Sequence, residues 1–399
     1  MTSNSRTIGV VGSCLWSVSL TIGALRVILP VYFSSLGVSI PKIAFLFFLD
    51  TVGQILAAIV IGMVINRFGY RRCLLGGIAI HSTLSYLYLF DPSFLVIFFE
   101  RFARGVITMP LMTEVYVKHF CSEERQPHHI NRVLGLGDVS KAGGMFLGGL
   151  LIATLPFKYS VLLFALLTTI SAIMALLFLP DLREEVKIPV HQAWKSVDPK
   201  IKTLGLSRGF LQGGEDAWAS AILPIYLTTV FGLNPTMVGT IMMTGLMFYG
   251  ANVTLLSRWL ARCQDRRKML VVTGLLLLPV CLGLSFATSV MPVILLICAY
   301  QFFNGACAVY QNQLKLEYAS KEKTSIDLAA FKTLSNLVKP VAVFIAGWLA
   351  NMLGFSWVFY FASLLLLVSA LIPLLLPPQR QPAQLTIPTY KSEVAAIRE

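Results

Sequence analysis

Charge is scarce in this sequence. Lys, Arg, Asp and Glu make up 13% of its 399 residues, against about 25% in an average soluble domain. A chain so poor in charge cannot cover a water-facing surface. With 56% hydrophobic residues and a mean hydropathy of +0.75, it belongs in lipid. Acids are scarcer than bases, 19 against 32. Such an excess raises nucleic acid as a partner. The distribution excludes it, because the basic residues sit between apolar runs rather than along one face. Seven cysteines are scattered as Cys14, Cys73, Cys121, Cys263, Cys281, Cys298 and Cys307, with no CxxC pair. They read as small apolar residues, not a disulfide framework. Walker A, Rossmann and zinc-protease patterns are absent, so ATP-driven transport, a cofactor and enzymatic chemistry are not expected. His128 and His129 lie in a polar loop without cysteine neighbours and make a poor metal site. His81, inside an apolar run, reads as a buried histidine rather than a proton relay.

Long apolar runs are what the chain has in abundance. A bilayer core of ~30 Å needs about 20 apolar residues of helix. Twelve such spans are expected, at roughly 8–36, 42–65, 73–90, 93–117, 132–155 and 159–180, then 204–231, 236–260, 269–288, 291–314, 325–352 and 355–376. The first run is too long for a signal-peptide core and lacks an A-x-A-like site, so it is expected to be retained. The expected division is a first six-helix unit over 1–180, a cytoplasmic loop over 181–202, a second unit over 203–376 and a polar, disordered tail over 377–399.

Lys and Arg orient the spans. With the N-terminus inside, the inner segments hold Arg6; Arg67, Arg71 and Arg72; Lys118, Arg125 and Arg132; Arg258 to Lys268; and Lys315, Lys321 and Lys323. The outer loops hold only Lys42 and Lys158. Both termini are therefore expected in the cytoplasm, across a bacterial inner membrane.

Six spans, a charged linker and six more spans suggest duplication. VINRFGYRRCLL (Val64 to Leu75) can be laid on LARCQDRRKMLV (Leu260 to Val271), both after the second span of their half. The run Gly62-x-x-x-Asn66-Arg67-x-Gly69-x-Arg71 resembles the loop 2–3 signature of the major facilitator superfamily, with Asn66 where that family usually has Asp and Tyr70 where it usually has a basic residue. Arg101-Phe-Ala-Arg104-Gly105 is similar to the family's R-x-x-x-G of span 4. Ser140-x-x-x-Gly144-Met145-x-x-Gly148-Gly149 resembles part of its span 5 antiporter pattern, with Ser140 and Met145 in place of Gly and Pro. The resemblance implies an all-α polytopic protein of 12 transmembrane helices, in two pseudo-symmetric six-helix bundles around a central cavity. It also implies that spans 1, 4, 7 and 10 line the cavity, that spans 2, 5, 8 and 11 form the sliding interface, and that the protein is a monomer.

Charges inside spans cost about 2.5–3.5 kcal/mol each unless paired or wet. Arg26 and Asp50 lie at similar depth on adjacent spans, where an ion pair is expected; locking those spans and lining a cavity are equally open readings. Glu100 and Arg104 are one turn apart and share a face. They are read as cavity candidates with Arg26, Gln301, Asn304 and Lys339, although Glu100 can simply neutralise its arginine. Arg101, offset by ~100°, points elsewhere. Asp138 and Lys141 can self-pair in span 5, and the glycines after them suit either a tight interface or a gating helix. Glu215 and Asp216 are proton-coupling candidates, because burial beside a like charge favours a carboxyl that takes up protons, and Asp50 is a third. Ion pairing with Lys332, Lys339 or Arg26 is the alternative for the two span 7 acids.

These readings converge on proton-coupled efflux of a small organic solute. An anionic or zwitterionic carboxylate metabolite or siderophore fits Arg26, Arg104, Lys141 and Lys339 better than a lipophilic cation does. Proton-symport import of a similar solute, and a transport-inactive scaffold or sensor on the same fold, stay open. Gly62, Asn66, Arg67, Gly69, Arg71, Arg101, Asp138, Lys141, Gly144, Gly148 and Gly149 are assigned to gating. The resemblance implies that an Asp at position 66 favours the outward-open arrangement, and Asn66 brings no charge to that contact. Asn66→Asp is expected to shift the balance toward outward-open, read as altered accessibility of single cysteines at the two ends of the cavity; unchanged accessibility refutes it.

Overall fold

The computed structural model describes residues 3–90, 93–106, 113, 116–117, 119–120, 126–180, 197–253, 265–319 and 324–377. Every regular element among them is helical. The first half holds α1 (Ser3–Ser35), α2 (Ile40–Phe68), α3 (Tyr70–Leu87), α4 (Phe94–Gly105), α5 (Gln126–Thr154) and α6 (Phe157–Phe178). The second holds α7 (Pro199–Ala219), α8 (Ile222–Thr229), α9 (Pro235–Ala251), α10 (Arg266–Phe286), α11 (Val290–Tyr318), α12 (Thr324–Leu337), α13 (Lys339–Met352) and α14 (Phe355–Leu371). Short 3-10 turns follow α3 (Tyr88–Phe90) and α14 (Ile372–Leu375).

Nine stretches among the described residues are long and apolar enough to cross a membrane. The other three expected spans miss that measure for visible reasons. In α4, 12 residues are described before the chain leaves the described region. The helix α7 carries Arg208, Glu215 and Asp216, and α9 is 17 residues long. Three helices of the second half start on side-chain caps. Asp198 accepts from Lys200 N, Asn234 from Met237 N and Asp265 from Lys268 N, at 2.7, 2.8 and 3.0 Å. Each satisfies a backbone donor that the helix itself cannot. The bond from Lys268 N–H holds the Asp265 carboxyl below the usual range.

Two expected spans are broken in the middle, and proline accounts for both breaks. A proline clashes with the carbonyl four residues back. Pro224 therefore disrupts the chain at Ser220, where α7 gives way to α8. Pro340 lies in the first turn of α13, just past the interruption at Val338. Gly213 and Gly214 let α7 approach Val338 and Leu366 closely.

The duplication is visible in matched contacts. Arg71, in the first turn of α3, donates to Leu176 O at the end of α6, at 2.7 Å. Arg267, which the sequence alignment sets opposite Arg71, donates to Pro373 O and Leu374 O at the end of the last span, at 3.0 and 2.6 Å. Each arginine satisfies carbonyls that a helix end leaves without partners. Cys14 of α1 reaches Ser171 O of α6, as Ser207 of α7 reaches Ser369 O of α14. Gly105 of α4 sits against the α2 backbone at Asp50, as Gly305 of α11 sits against α9 at Tyr249 and Asn252.

The bundles meet along α5–α9 and α2–α13. Among the glycines of span 5, Gly144 and Gly148 pack on α1 within the first bundle, at Leu20 and Ala24. Gly149 alone faces the second bundle, at Pro235 and Gly239 of α9. On the other seam, Gly347 of α13 meets Ala44 of α2. These contacts lie toward the end that carries the α1–α2 and α5–α6 turns. An apolar cluster there joins Leu25, Ile28 and Phe47 to Ala221, Ile225 and Val343 of the second half. At the opposite end, the cluster built on Val11, Leu15, Tyr70 and Leu74 draws on the first half alone. There Asp138 of α5 and Lys332 of α12, from opposite bundles, are exposed within electrostatic reach of each other. Among the described residues, the apolar seal between the bundles lies at the end that carries the α1–α2 and α5–α6 turns.

A methyl group on Gly149 has no room against Pro235. Gly149→Ala is expected to push α5 and α9 apart, at about 1–3 kcal/mol of overpacking. The readout is faster labelling of a cysteine at position 225 by a membrane-impermeant maleimide than in the Gly149 parent; equal rates overturn it.

Candidate functional site

The helix breaks and close packings bring the intramembrane charges into two groups. The first lies within the first bundle. Arg104 Nε donates to Glu100 Oε1 at 2.6 Å, Nη2 to Ser85 Oγ at 3.1 Å, and Nη1 approaches His81 Nδ1 at 3.1 Å. A guanidinium only donates, so that histidine nitrogen is the acceptor. Tyr88 donates its hydroxyl to Glu100 Oε2 at 2.8 Å. Glu100 and Arg104 are 2% and 3% exposed, and the network closes between α3 and α4. Beside it, Arg101 pairs with Asp50 at 3.0 Å and lies over the Phe47 ring. Gly53 and Gly105, where α2 and α4 touch backbone to backbone, set that pair at contact distance.

The second group lies at the junction of the bundles. Asp216, four residues before the break in span 7, faces Arg26 Nη2 at 3.8 Å and Lys339 Nζ at 3.7 Å. Arg26 belongs to the first bundle, and Lys339 opens α13 just past the break in span 11. The positive end of the α13 dipole adds to the lysine's charge. Lys141 lies within electrostatic reach of Arg26, Asp138, Asp216 and Glu215. Glu215 turns away into the second bundle. There Gln301 Nε2 donates to its Oε1 at 3.0 Å and Asn304 Nδ2 to its Oε2 at 2.9 Å.

Two small compartments adjoin these groups. One, of about 60 Å³, is lined by Ile22, Arg26, Asp50, Gln54, His81, Arg101 and Arg104. That is room for a few waters. The other is lined by Arg26, Asp50, Gln54, Asp216, Ser220 and Lys339, among others. Arg26, Asp50 and Gln54 are walls of both.

A fold of two matched helical halves, sealed at one end around a charged centre, is that of a transporter. The model of the Major Facilitator Superfamily matches residues 11–212 and 206–399. The chain belongs to the major facilitator superfamily. Solved facilitators share its fold at low identity. The human organic anion transporter MFSD10 (TETRAN) is 16% identical over 94% of this chain and 100% of its own, with a TM-score of 0.70. A bacterial homologue of the human lysosomal transporter Spinster, in an inward-facing and unoccupied conformation, is 11% identical over 94% and 96%, with a TM-score of 0.71. No curated protein sequence matches the chain. This facilitator is a transporter and not an enzyme.

Arg26, Asp50, Arg104, Asp216 and Lys339 come together as expected candidates, joined by Arg101. The ion pair expected between Arg26 and Asp50 gives way to Arg26–Asp216 and Arg101–Asp50. Arg101 thus reaches the site, while Glu100, Gln301 and Asn304 line neither compartment. Gly69 has a φ of 79° as the N-cap of α3, a conformation that favours glycine. Gly62, Asn66 and Arg67 fall in the last turns of α2, and their side chains lie outside the described residues. Sequence reasoning passed over Arg208, which donates to Gln311 Oε1 at 3.0 Å and acts on Tyr249. Its signal was the seven-residue interval to Glu215, which puts both on one helix face. His81, Ser85 and Tyr88 form a similar polar stripe along span 3.

Removing one partner of a buried ion pair strands the other, at about 3–5 kcal/mol. Arg104→Met is therefore expected to lower thermal stability strongly, and Glu100→Gln with Arg104→Met to recover most of the loss. A double variant no more stable than the single one overturns the closed network.

Proposed function

We propose that this facilitator is a proton-coupled secondary transporter that exports a small organic anion or zwitterion, of the carboxylate metabolite or siderophore type. The observation that carries this reading is the convergence of Arg26 and Lys339 on Asp216, with Lys141 in reach. An anionic solute finds cations there that share a single carboxylate, at a junction which opens when the bundles rock. The neighbouring fold of an organic anion transporter agrees with this class. In the proposed setting the protein is a monomer in a bacterial inner membrane, with both termini cytoplasmic. Its units are 1–180 and 203–376, joined by the 181–202 loop, with 377–399 as a tail. The sealed end then faces outward.

Glu215 is the proton carrier in this scheme. Protonating Asp216 leaves Arg26 and Lys339 without their counter-charge. Protonating Glu215 leaves only the neutral amides of Gln301 and Asn304, which tolerate it. Asp50 is spoken for by Arg101.

In proteoliposomes given radiolabelled benzoate or succinate, an imposed pH gradient is expected to drive flux against the proton flow. Glu215→Gln should lose the gradient-driven flux at least tenfold and keep anion exchange at zero gradient. Flux along the proton flow indicates symport instead, and equal flux under opposite gradients overturns proton coupling.

A further inference from the structure

We infer that the transported anion carries two negative groups on one small skeleton, one seated in each compartment. This deepens the anion reading above and rests on it. Four features of the site lead to it.

The first is the shape. The compartments are not two separate sites, because Arg26, Asp50 and Gln54 form walls of both. One end is marked by Arg101, Arg104 and His81, the other by Asp216, Ser220 and Lys339. A short molecule can reach both ends past the shared wall.

The second is the charge count. Arg104 is neutralised from behind by Glu100, so Arg26, Arg101 and Lys339 face only Asp50 and Asp216. Lys141 adds to the field on Arg26. Two positive charges are thus left over. Adding the neighbouring Arg208 and Lys332 against Asp138 and Glu215 leaves the same excess. In low dielectric an uncompensated cation is costly, so the ligand that best settles the site brings two negative charges.

The third is a cation at each end. Arg101 is 4% exposed and lines the first compartment, where its guanidinium pairs with Asp50 through Nη2. A guanidinium has five donors, so one anionic group can share it with Asp50. The second compartment offers the ammonium of Lys339 and the guanidinium of Arg26 to the other.

The fourth is that the protein's own carboxylates already hold these cations. Asp50 sits on Arg101, and Asp216 sits between Arg26 and Lys339. Two internal carboxylates, Asp50 on the wall shared by both compartments and Asp216 in the second, already divide these cations between them, as the two groups of a dianion would. A monoanion engages one compartment and leaves the other as it is.

The test is thermal unfolding of the purified full chain in detergent, at fixed ionic strength. The probes are acetate, butyrate and benzoate against succinate, glutarate and adipate. A ligand that binds the folded state raises the midpoint as its concentration exceeds its Kd. At least one dicarboxylate is expected to bind tenfold or more tightly than the monocarboxylate of matched length, with an optimum along the series. Asp50→Asn with Arg101→Gln removes the ion pair beside the first compartment without stranding a charge. It is expected to collapse the dicarboxylate preference to within about twofold. Equal binding of mono- and dicarboxylates by the unaltered protein overturns the two-group inference and leaves the anion reading standing. Stabilisation by none of the probes overturns both. If the double variant does not fold, the comparison on the unaltered chain decides alone.

Discussion

A carboxylate shared between two bundles, in a medium that cannot solvate it, is the constraint on which the rest of this structure depends. Asp216 belongs to the second bundle, and one of its cations, Arg26, belongs to the first. Water would weaken such a pair to very little, whereas lipid and protein do not. The pair therefore has to lie where the bundles approach each other, and the approach has to be close. Gly149 and Gly347 provide that on the two seams, and the apolar cluster around Phe47 and Ile225 seals the space beyond. The helix breaks serve the same end. Unbroken spans 7 and 11 would carry Asp216 and Lys339 along continuous rods. The interruptions at Ser220 and Val338 leave both residues at helix ends that face the junction.

The charged groups divide by what happens to them when the bundles rock. Arg104, Glu100, His81, Ser85 and Tyr88 lie within one bundle and move together, so their bonds survive any rigid-body motion. That network stiffens the α3–α4 pair and contributes one arginine edge to a cavity. The same holds for Arg101 and Asp50, unless a ligand competes for the arginine. The Arg26–Asp216 pair crosses the seam and has to part when the sealed end opens. Separating it in low dielectric costs several kcal/mol unless a replacement charge is present. In the proposed anion transport, a solute anion on Arg26 and Lys339 on Asp216 are such replacements. That scheme ties substrate binding to opening through one ion pair, without any longer path.

Much of this fold could be read from the chain, since span length, basic loops and the order of halves follow directly from the cost of burying charge and backbone in lipid. The alignment of Arg71 with Arg267 also anticipated a matched contact, although their partners at the ends of spans 6 and 12 were not foreseen. The pairing of buried charges was harder. Counting residues along a span gives depth but not azimuth, and Arg26 and Asp50 share a depth. What directs Asp50 to Arg101 is the glycine contact between α2 and α4, a tertiary fact. The same limit hid Arg101, judged by its offset from Glu100 when its true neighbour lay on another helix.

The duplicated frame clarifies how two bundles with one ancestry of contacts can do different chemistry. Gly105 and Gly305 make equivalent close approaches, so the residues just before them occupy equivalent places. In the first half these are Arg101 and Arg104; in the second they are Gln301 and Asn304. Guanidinium groups at those positions demand carboxylates and obtain them from Asp50 and Glu100. Amides at the matching positions instead hold Glu215 without a positive charge. The first bundle therefore keeps permanent cations beside the cavity, while the second keeps an acid held by neutral amides. In the scheme proposed above, anion export against protons uses these two environments side by side but separate. Substituting amides for arginines at equivalent positions of a repeat supplies both without changing the fold.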